Sequence, residues 1–323
     1  MQERTSSVKT KIVQLTLGVL IIALLFWRLD AEEIMGIFRE IDLKYFISAA
    51  GAYLCYNLIM TLRVSYLLRQ VGRDTDHTVF FAHMGGMLAS DITPARGGYF
   101  ILPYILKRSG QSDITDGMAA IVAPAGIEFI LKVVGGFFGI MLLVSTTEMG
   151  RSVLISLSLA GILFLTIGSM MVITMWSKES FSATILSRIP FIGRFQENYM
   201  RLKGRSLKIK SSADVIVATS VVCWVILGLQ WFLIGRSLGI DLPFYVYFLL
   251  HPLITLLAFV PLTPSGIGVM EGGAAAVFYL LGVGSGVGLA FSLLVRVNSI
   301  LIDLIGLRSI STIGEVGLTP SLR

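Results

Sequence analysis

The chain has 323 residues, of which 55% are hydrophobic and 14% are charged, and its mean hydropathy is +0.82. Soluble domains normally carry about 25% charged residues, so this composition excludes an ordinary soluble protein and predicts an all-α polytopic membrane protein. The net charge of +6 is typical of basic cytoplasmic loops, and we expect no nucleic-acid binding. Cys55 and Cys223 both lie in apolar segments, where reduced thiols are expected.

About six apolar segments are long enough, or nearly long enough, for a transmembrane helix of about 20 residues. They are residues 12–27, 45–62, 118–144, 152–176, 215–235 and 289–307. Between the first two, residues 30–44 combine charged side chains with apolar ones at helical spacing, which predicts an amphipathic helix on the membrane surface. Gly135 and Gly139 form a small-xxx-small pair, which predicts a close contact between helices.

Two further apolar segments, 79–106 and 244–282, are interrupted by proline and glycine, and each of their short arms fails to cover a full crossing. The interrupting residues are Thr93, Pro94, Gly97 and Gly98 in the first segment and Pro261, Thr263, Pro264, Gly266 and Gly268 in the second. Irregular backbone at membrane depth is tolerated only when it is buried in protein or lines a cavity. We therefore predict two re-entrant helical hairpins, the first and the second hairpin, whose Thr-Pro loops face each other and form the working site.

The basic segment 177–213 sets the predicted topology, because its eight basic and two acidic residues indicate a cytoplasmic loop. Counting from it, the first hairpin enters from the cytoplasm, the second enters from outside, and both termini are cytoplasmic. Residues 45–144 and 215–307 then form an inverted repeat within a single transmembrane domain, residues 1–323, in the cytoplasmic membrane. The alternative is that residues 244–260 cross fully, which would move the C-terminus outside.

Ionisable residues within apolar segments are the best candidates for a binding site, because each is unfavourable in the membrane unless it is paired or solvated. Arg296 is the leading candidate, since a guanidinium binds phosphate in a bidentate manner and stays charged in a dry site. We predict Glu271, in the loop of the second hairpin, as its counter-ion in the empty site. The other predicted binding residues are Arg96, Asp91, Glu128, Lys132, Asn298 and Asp303.

Several of these residues have specific predicted roles. Arg96, in the first Thr-Pro loop, supplies a second cation, and Asp91 balances that charge or receives a proton. Glu128 and Lys132 are four residues apart with the acid first, which favours an ion pair on one helix face. Backbone amides at the start of the helix after each Thr-Pro loop are expected to face a bound anion.

His83 and His251 lie on apolar segments, where a hydrogen-bonded core histidine is more common than a metal ligand. The sequence contains no zinc motif, no dinucleotide fingerprint and no motif for prenyl diphosphate or CDP-alcohol chemistry. We therefore expect no metal, no cofactor and no enzyme activity.

Two motifs of this chain resemble one membrane-protein family. They are Pro94-Ala95-Arg96-Gly97-Gly98 followed by Pro103-Tyr104-Ile105-Leu106-Lys107-Arg108, and Pro261 to Glu271 followed by Leu281-Gly282-Val283. With Arg296 in the last span, they resemble the lysylphosphatidylglycerol synthase transmembrane region family over residues 12–310. That family includes the flippase half of bacterial multiple peptide resistance factors and standalone uncharacterised membrane proteins.

The resemblance implies a lipid translocase fold with paired re-entrant helices, which moves a modified phospholipid or a related lipid between leaflets. Tyr99, Leu102 and Phe129 stand where the family often has charged residues, and Lys132 is expected to replace one missing arginine. The synthase half that aminoacylates lipid has no counterpart in this sequence, so synthesis of lysyl-lipid is not expected. The resemblance therefore leaves the headgroup open.

The leading hypothesis is a lipid flippase or scramblase whose partner is a phospholipid, an aminoacyl-phospholipid or a polyprenyl-phosphate-linked sugar. One alternative is a proton- or ion-coupled transporter of small solutes. Another is a membrane partner of, or an enzyme in, glycolipid or polyprenyl-phosphate metabolism. The sequence leaves a homodimer and a glycosyltransferase partner open.

Overall fold

The computed structural model describes residues 31–146, 150–177 and 196–310, together with isolated positions between 16 and 27. The predicted first span at 12–27 lies almost entirely outside the described residues, as does part of the basic segment 177–213. The described residues form α-helices and short 3₁₀ turns, and no β-strand occurs among them. The all-α class is therefore confirmed for the described part of the chain.

The α-helices follow one another along the chain with short connections. They are α1 (Ala31–Arg39), α2 (Leu43–Gln70), α3 (Thr78–Asp91), α4 (Leu102–Arg108), α5 (Ile114–Thr146), α6 (Arg151–Trp176), α7 (Gln196–Ile209), α8 (Ala213–Ser237), α9 (Phe244–Leu256), α10 (Val269–Leu280) and α11 (Ser285–Asp303). The 3₁₀ turns are Gly97–Ile101, Lys210–Ser212, Leu257–Phe259 and Leu304–Gly306.

Five helical stretches are long and apolar enough to cross a membrane, which confirms a polytopic membrane protein. They are Leu43–Gln70, Ile114–Thr146, Ile155–Trp176, Glu197–Ser237 and Ser285–Ile310. Each corresponds to one of the segments predicted from the sequence. The fourth is longer than predicted because α7 continues through a 3₁₀ turn directly into α8. Helix α1 falls within the predicted amphipathic segment.

The helices of the two interrupted segments are short. Helix α3 has 14 residues, α9 has 13 and α10 has 12, so each spans about 18–21 Å of the roughly 30 Å hydrocarbon core. The start of α3 lies beside the end of α4, because the Asp76 amide donates to Gln111 Oε1 at 3.1 Å. The start of α9 likewise lies beside the end of α10, where the Tyr247 and Phe278 rings are 6.4 Å apart.

Helices α2 and α8 are antiparallel neighbours at the centre of the fold. The Asp42 amide before α2 donates to the Ser237 carbonyl at the end of α8 at 2.9 Å. Helix α5 packs on α9 at the predicted small-residue pair, since a Cβ on Gly139 would lie 2.7 Å from the Leu249 carbonyl oxygen. The end of α11 packs on α3, where Gly306 is in close contact with the backbone of Met84. Each interrupted segment therefore packs on a long helix from the other half of the chain.

Part of the basic segment is folded against the helix ends. The buried carboxylate of Asp116 accepts from Arg73 Nε at 2.6 Å and lies 3.0 Å from Arg205 Nε. The hydrogen bond to Asp116 raises the pKa of the Arg73 guanidinium above its ordinary value. Lys210 Nζ donates to the Trp176 carbonyl at the end of α6 at 3.2 Å. Cations at the C-terminal end of a helix stabilise it, so these residues have a structural role.

Two apolar cores lie on either side of a central polar region. One joins the later turns of α2 to α3, α4 and the start of α5, and its members include Leu67, Leu102 and Ile121. The other joins α8 to α9, α10 and α11, and its members include Trp231 and Phe291.

Candidate functional site

The two Thr-Pro loops meet, as the sequence predicts. Pro94 and Pro264 form an isolated antiparallel bridge, and the Ser265 amide donates to the Thr93 carbonyl at 2.9 Å. Within each loop the same turn closes at the proline: Gly97 N donates to Pro94 O at 3.0 Å, and Ile267 N donates to Pro264 O at 2.9 Å. The loops therefore share a backbone pattern although only a few of their residues are identical.

Both turns use left-handed backbone at the two positions after proline. The φ angles are 52° at Ala95, 55° at Arg96, 46° at Ser265 and 66° at Gly266. A residue with a Cβ atom in this region costs about 1–2 kcal/mol, so the surrounding structure must hold the turns in place. In the first loop, Thr93 does this: its Oγ1 accepts from Gly98 N at 2.6 Å and donates to the Ala89 carbonyl at 3.0 Å.

Arg296 and Glu271 form the predicted ion pair. Arg296 Nε donates to Glu271 Oε1 at 2.7 Å, and the carboxylate is completely buried. The other carboxylate oxygen accepts from the Gly268 amide at 2.6 Å, at the start of α10. The positive end of a helix stabilises such a charge. The prediction that amides at this helix start face a bound anion is therefore wrong at Gly268, because Glu271 already occupies that amide.

Arg96 is held more loosely than Arg296. Its Nη2 donates to Asp91 Oδ1 at 3.2 Å and to Ser90 Oγ at 3.1 Å, and its side chain is 30% exposed. The amides after this loop are also partly occupied, since Gly98 N donates to Thr93. Arg96 remains available to a ligand in the cavity, and its carboxylate partner balances its charge meanwhile.

The ion pair predicted between Glu128 and Lys132 is wrong. Glu128 pairs with Arg63 of α2, which approaches from across the fold and is 5% exposed. Lys132 instead lies over the Phe259 ring, 5.6 Å from its centroid, in a cation–π contact. The sequence analysis missed Arg63 because that analysis treated the basic residues after residue 62 as membrane-end residues. The polar and aromatic side chains of Tyr53, Tyr56 and Arg63 recur at helical spacing on α2, and this pattern was the available signal.

A cavity of about 250 Å³ lies at the meeting point of the loops, between α2, α5, α8 and α11. Six charged side chains line it: Arg63, Arg96, Lys132, Arg296, Asp91 and Glu128. Aromatic and apolar groups, including those of Tyr53, Phe129 and Trp231, cover much of the remaining wall. Five of the eight predicted binding residues therefore face one cavity.

The other three predicted binding residues lie behind the cavity wall. Glu271 supports Arg296 from there. Asn298 is completely buried, accepts from Gln230 Nε2 at 3.1 Å and donates to the Phe46 carbonyl at 3.0 Å. Asp303 is also completely buried and accepts from the Tyr53 hydroxyl at 2.9 Å. These residues do not reach a ligand in the cavity directly.

His83 is a buried, hydrogen-bonded histidine, as the sequence predicts. Its ring nitrogens lie 2.9 Å from the Tyr99 hydroxyl and 3.0 Å from Asn57 Oδ1. His251 lines the cavity and stacks edge-on against Trp231, with ring centroids 4.9 Å apart. Among the described residues no cluster of three or more histidine, cysteine or acidic side chains is placed to hold a metal ion.

The long apolar helices and the buried charged cavity define a polytopic all-α membrane protein. The family described as "Lysylphosphatidylglycerol synthase TM region" matches residues 11–306, so the chain belongs to that family. The chain is also similar to a UPF0104 membrane protein of Methanothermobacter thermautotrophicus. The two are 22% identical over 326 residues, covering 94% of this chain and 95% of that protein.

Proposed function

We propose that the protein is a lipid flippase or scramblase, which moves a phospholipid or a lipid-linked headgroup across the cytoplasmic membrane through the cavity. The observation that carries this proposal is the excess of cations in the cavity wall, where four basic side chains accompany two acidic ones. Such a wall favours the phosphate group that membrane lipids share. Membership in a family described as a transmembrane region of a lipid synthase agrees with a lipid substrate.

The basic side chains differ in how much attraction for a phosphate each retains. Arg63 and Arg296 each lie beside a carboxylate at short distance. No carboxylate of the described part of the chain lies within ion-pair distance of Lys132, which contacts Phe259 instead. We assign the first contact with the phosphate to Lys132. Arg96, with its longer ion pair, then exchanges its carboxylate for the phosphate.

We further propose that the interrupted segments are re-entrant hairpins of opposite orientation. Three observations support this: their helices are shorter than the hydrocarbon core, each segment ends beside its own start, and the two loops share one turn geometry. Reciprocal packing, α5 on α9 and α11 on α3, is expected of an inverted repeat formed by residues 45–144 and 215–307. Broken helices meeting at mid-membrane are typical of transporter binding sites.

A route for the acyl chains adjoins the cavity. A smaller pocket of about 50 Å³ shares Glu128 and Lys132 with it and extends between α5 and α8, where Leu131, Trp224 and Leu227 line it. Charged groups at one end and apolar groups at the other suit a lipid that places its headgroup in the cavity and keeps its tails in the bilayer.

Leaflet exchange of fluorescent lipids in proteoliposomes, read by dithionite quenching, tests the proposal. We expect exchange above that of empty liposomes, and a loss of about tenfold or more in Lys132→Ala and Arg296→Gln, since a hydrogen bond to a charged group contributes about 1.5–3 kcal/mol. Arg236→Gln is the control, because Arg236 forms an exposed pair with Asp241 away from the cavity. Exchange no faster than in empty liposomes for every anionic and zwitterionic lipid would sink the proposal.

A second candidate is an ion-coupled transporter of a small anionic solute. The cavity volume of about 250 Å³ favours it, because a whole small anion would fit, whereas a lipid must leave most of its volume outside. Uptake of radiolabelled phosphate and carboxylate solutes into the same proteoliposomes separates the two candidates. Solute uptake without lipid exchange supports the transporter.

A further inference from the structure

Two carboxyl groups meet beside the cavity. Asp91, at the end of α3, lines the cavity wall, and Asp303, at the end of α11, lies behind it. The two side chains hydrogen-bond to each other. Asp91 is 9% exposed and Asp303 is completely buried, so water contributes little to the stability of either charge. The contact brings together the first hairpin and the last long helix.

The remaining partners of these carboxyl groups are few. Asp91 Oδ1 accepts from Arg96 and Asp303 Oδ2 accepts from the Tyr53 hydroxyl. The other oxygen of each group, Asp91 Oδ2 and Asp303 Oδ1, is buried and has no donor from the described residues. These two oxygens are the atoms available for the mutual hydrogen bond. A carboxylate accepts hydrogen bonds but cannot donate one, so the bond requires a proton on one of the two groups.

The surroundings contain one cation for the two acids. Arg96 is the basic group that faces the pair from the first loop, and Tyr53 is the hydroxyl that faces it from α2. Arg296, on the same helix as Asp303, is bound to Glu271. On α3, His83 is directed towards Asn57 and Tyr99. Two ionised carboxylates in contact with a single guanidinium would leave one buried charge without compensation, which is strongly unfavourable.

We infer that Asp91 and Asp303 form a proton-binding site that couples movement of an anionic headgroup to movement of protons. In the resting site the pair holds one proton, and Arg96 balances its remaining negative charge. A phosphate group in the cavity draws Arg96 away, and the pair then takes up a second proton from water. The headgroup and the proton therefore bind together, and each increases the affinity for the other.

This inference rests on the proposed function for its transport step, while the proton site can be tested by itself. Infrared spectroscopy of the full-length protein in nanodiscs at neutral pH detects the C=O band of a protonated carboxylic acid. We expect this band in the wild type and in Asp303→Glu, and its loss in Asp303→Asn and Asp91→Asn. Asp241→Asn, which alters an exposed carboxylate, is the control and retains the band.

Gel filtration and thermal melting of each variant identify any that fail to fold, and Asp303→Glu keeps the site testable in that case. A wild-type protein without the band, or a band that persists in both asparagine variants, overturns the proton site. Sodium binding that the wild type has and both variants lack assigns the pair to a metal cation instead, which also overturns it.

The coupling step has its own measurement. Addition of short-chain phosphatidylglycerol to weakly buffered protein should cause uptake of about one proton per bound headgroup in the wild type, and much less in Asp303→Asn. A pH gradient should likewise accelerate leaflet exchange only in the wild type. An infrared band without any lipid exchange leaves the proton site intact and refutes the proposed function, whereas exchange that is independent of pH in a protein that has the band refutes the coupling alone.

Discussion

The ion pair between Arg296 and Glu271 provides the sharpest stability prediction. Its N–O distance is 2.7 Å, and the side chains are 15% and 0% exposed, so solvent screens the pair poorly. Two unit charges about 4 Å apart attract by about 4 kcal/mol at an effective dielectric constant of about 20. Removing one partner of a buried pair typically costs about 3–5 kcal/mol, because the other charge is left without compensation.

We expect Arg296→Ala to lower the free energy of unfolding by about 3 kcal/mol, at the lower end of that range. The loss is limited because Glu271 keeps its hydrogen bond to the Gly268 amide at the start of α10. Replacing both partners by methionine should recover most of the loss, since an apolar pair leaves no buried charge. Reversible unfolding in mixed micelles, followed by circular dichroism, measures the difference.

Arg236→Ala is the matched control. Arg236 pairs with Asp241 at 2.6 Å, but these side chains are 37% and 87% exposed, so the expected loss is below about 1 kcal/mol. Equal losses for Arg296→Ala and Arg236→Ala would refute the reasoning from burial. A double methionine variant less stable than Arg296→Ala would refute the claim that the uncompensated charge causes the loss.

Two further substitutions test the loop and the cytoplasmic end. A methyl group on Gly98 would overlap the Ala89 carbonyl, so Gly98→Ala should destabilise the protein by about 1–3 kcal/mol, whereas open space surrounds Gly97 and the same change there should have little effect; equal melting temperatures would contradict this. Asp116→Asn should lower the melting temperature by an amount corresponding to about 1–2 kcal/mol, a value reduced because its two arginine partners are about one-third exposed. A melting temperature unchanged from wild type would show that the carboxylate does not hold the basic segment in place.

The sequence was sufficient to predict the long helices and the two breaks, because both depend on local chemistry. Runs of apolar residues predict α5 and α8, and the prolines and glycines around Pro94 and Pro264 predict the interruptions. The facing of the two loops was also predictable, since polar broken backbone in a membrane must be covered by protein. The left-handed backbone at Ala95 was not predictable, because alanine has no preference for that conformation.

The pairing of charges was predicted only in part. Glu271 was the natural partner of Arg296 because few other acids lie in apolar segments. The partner of Glu128 was predicted wrongly, because spacing along one helix favours Lys132 while the tertiary fold places Arg63 closer. The burial of Asp303 against Tyr53 is a contact over 250 residues of sequence, and helical spacing carries no information about it.

The central claim is that a lipid headgroup passes through the cavity between the two Thr-Pro loops, and blocking the cavity tests it most directly. Ala125 lines the cavity, whereas Leu159 of α6 is 63% exposed on the outer surface. We predict that Ala125→Trp reduces leaflet exchange in proteoliposomes to the level of empty liposomes, while Leu159→Trp exchanges lipid at the wild-type rate. Wild-type exchange in a folded Ala125→Trp variant would contradict the claim.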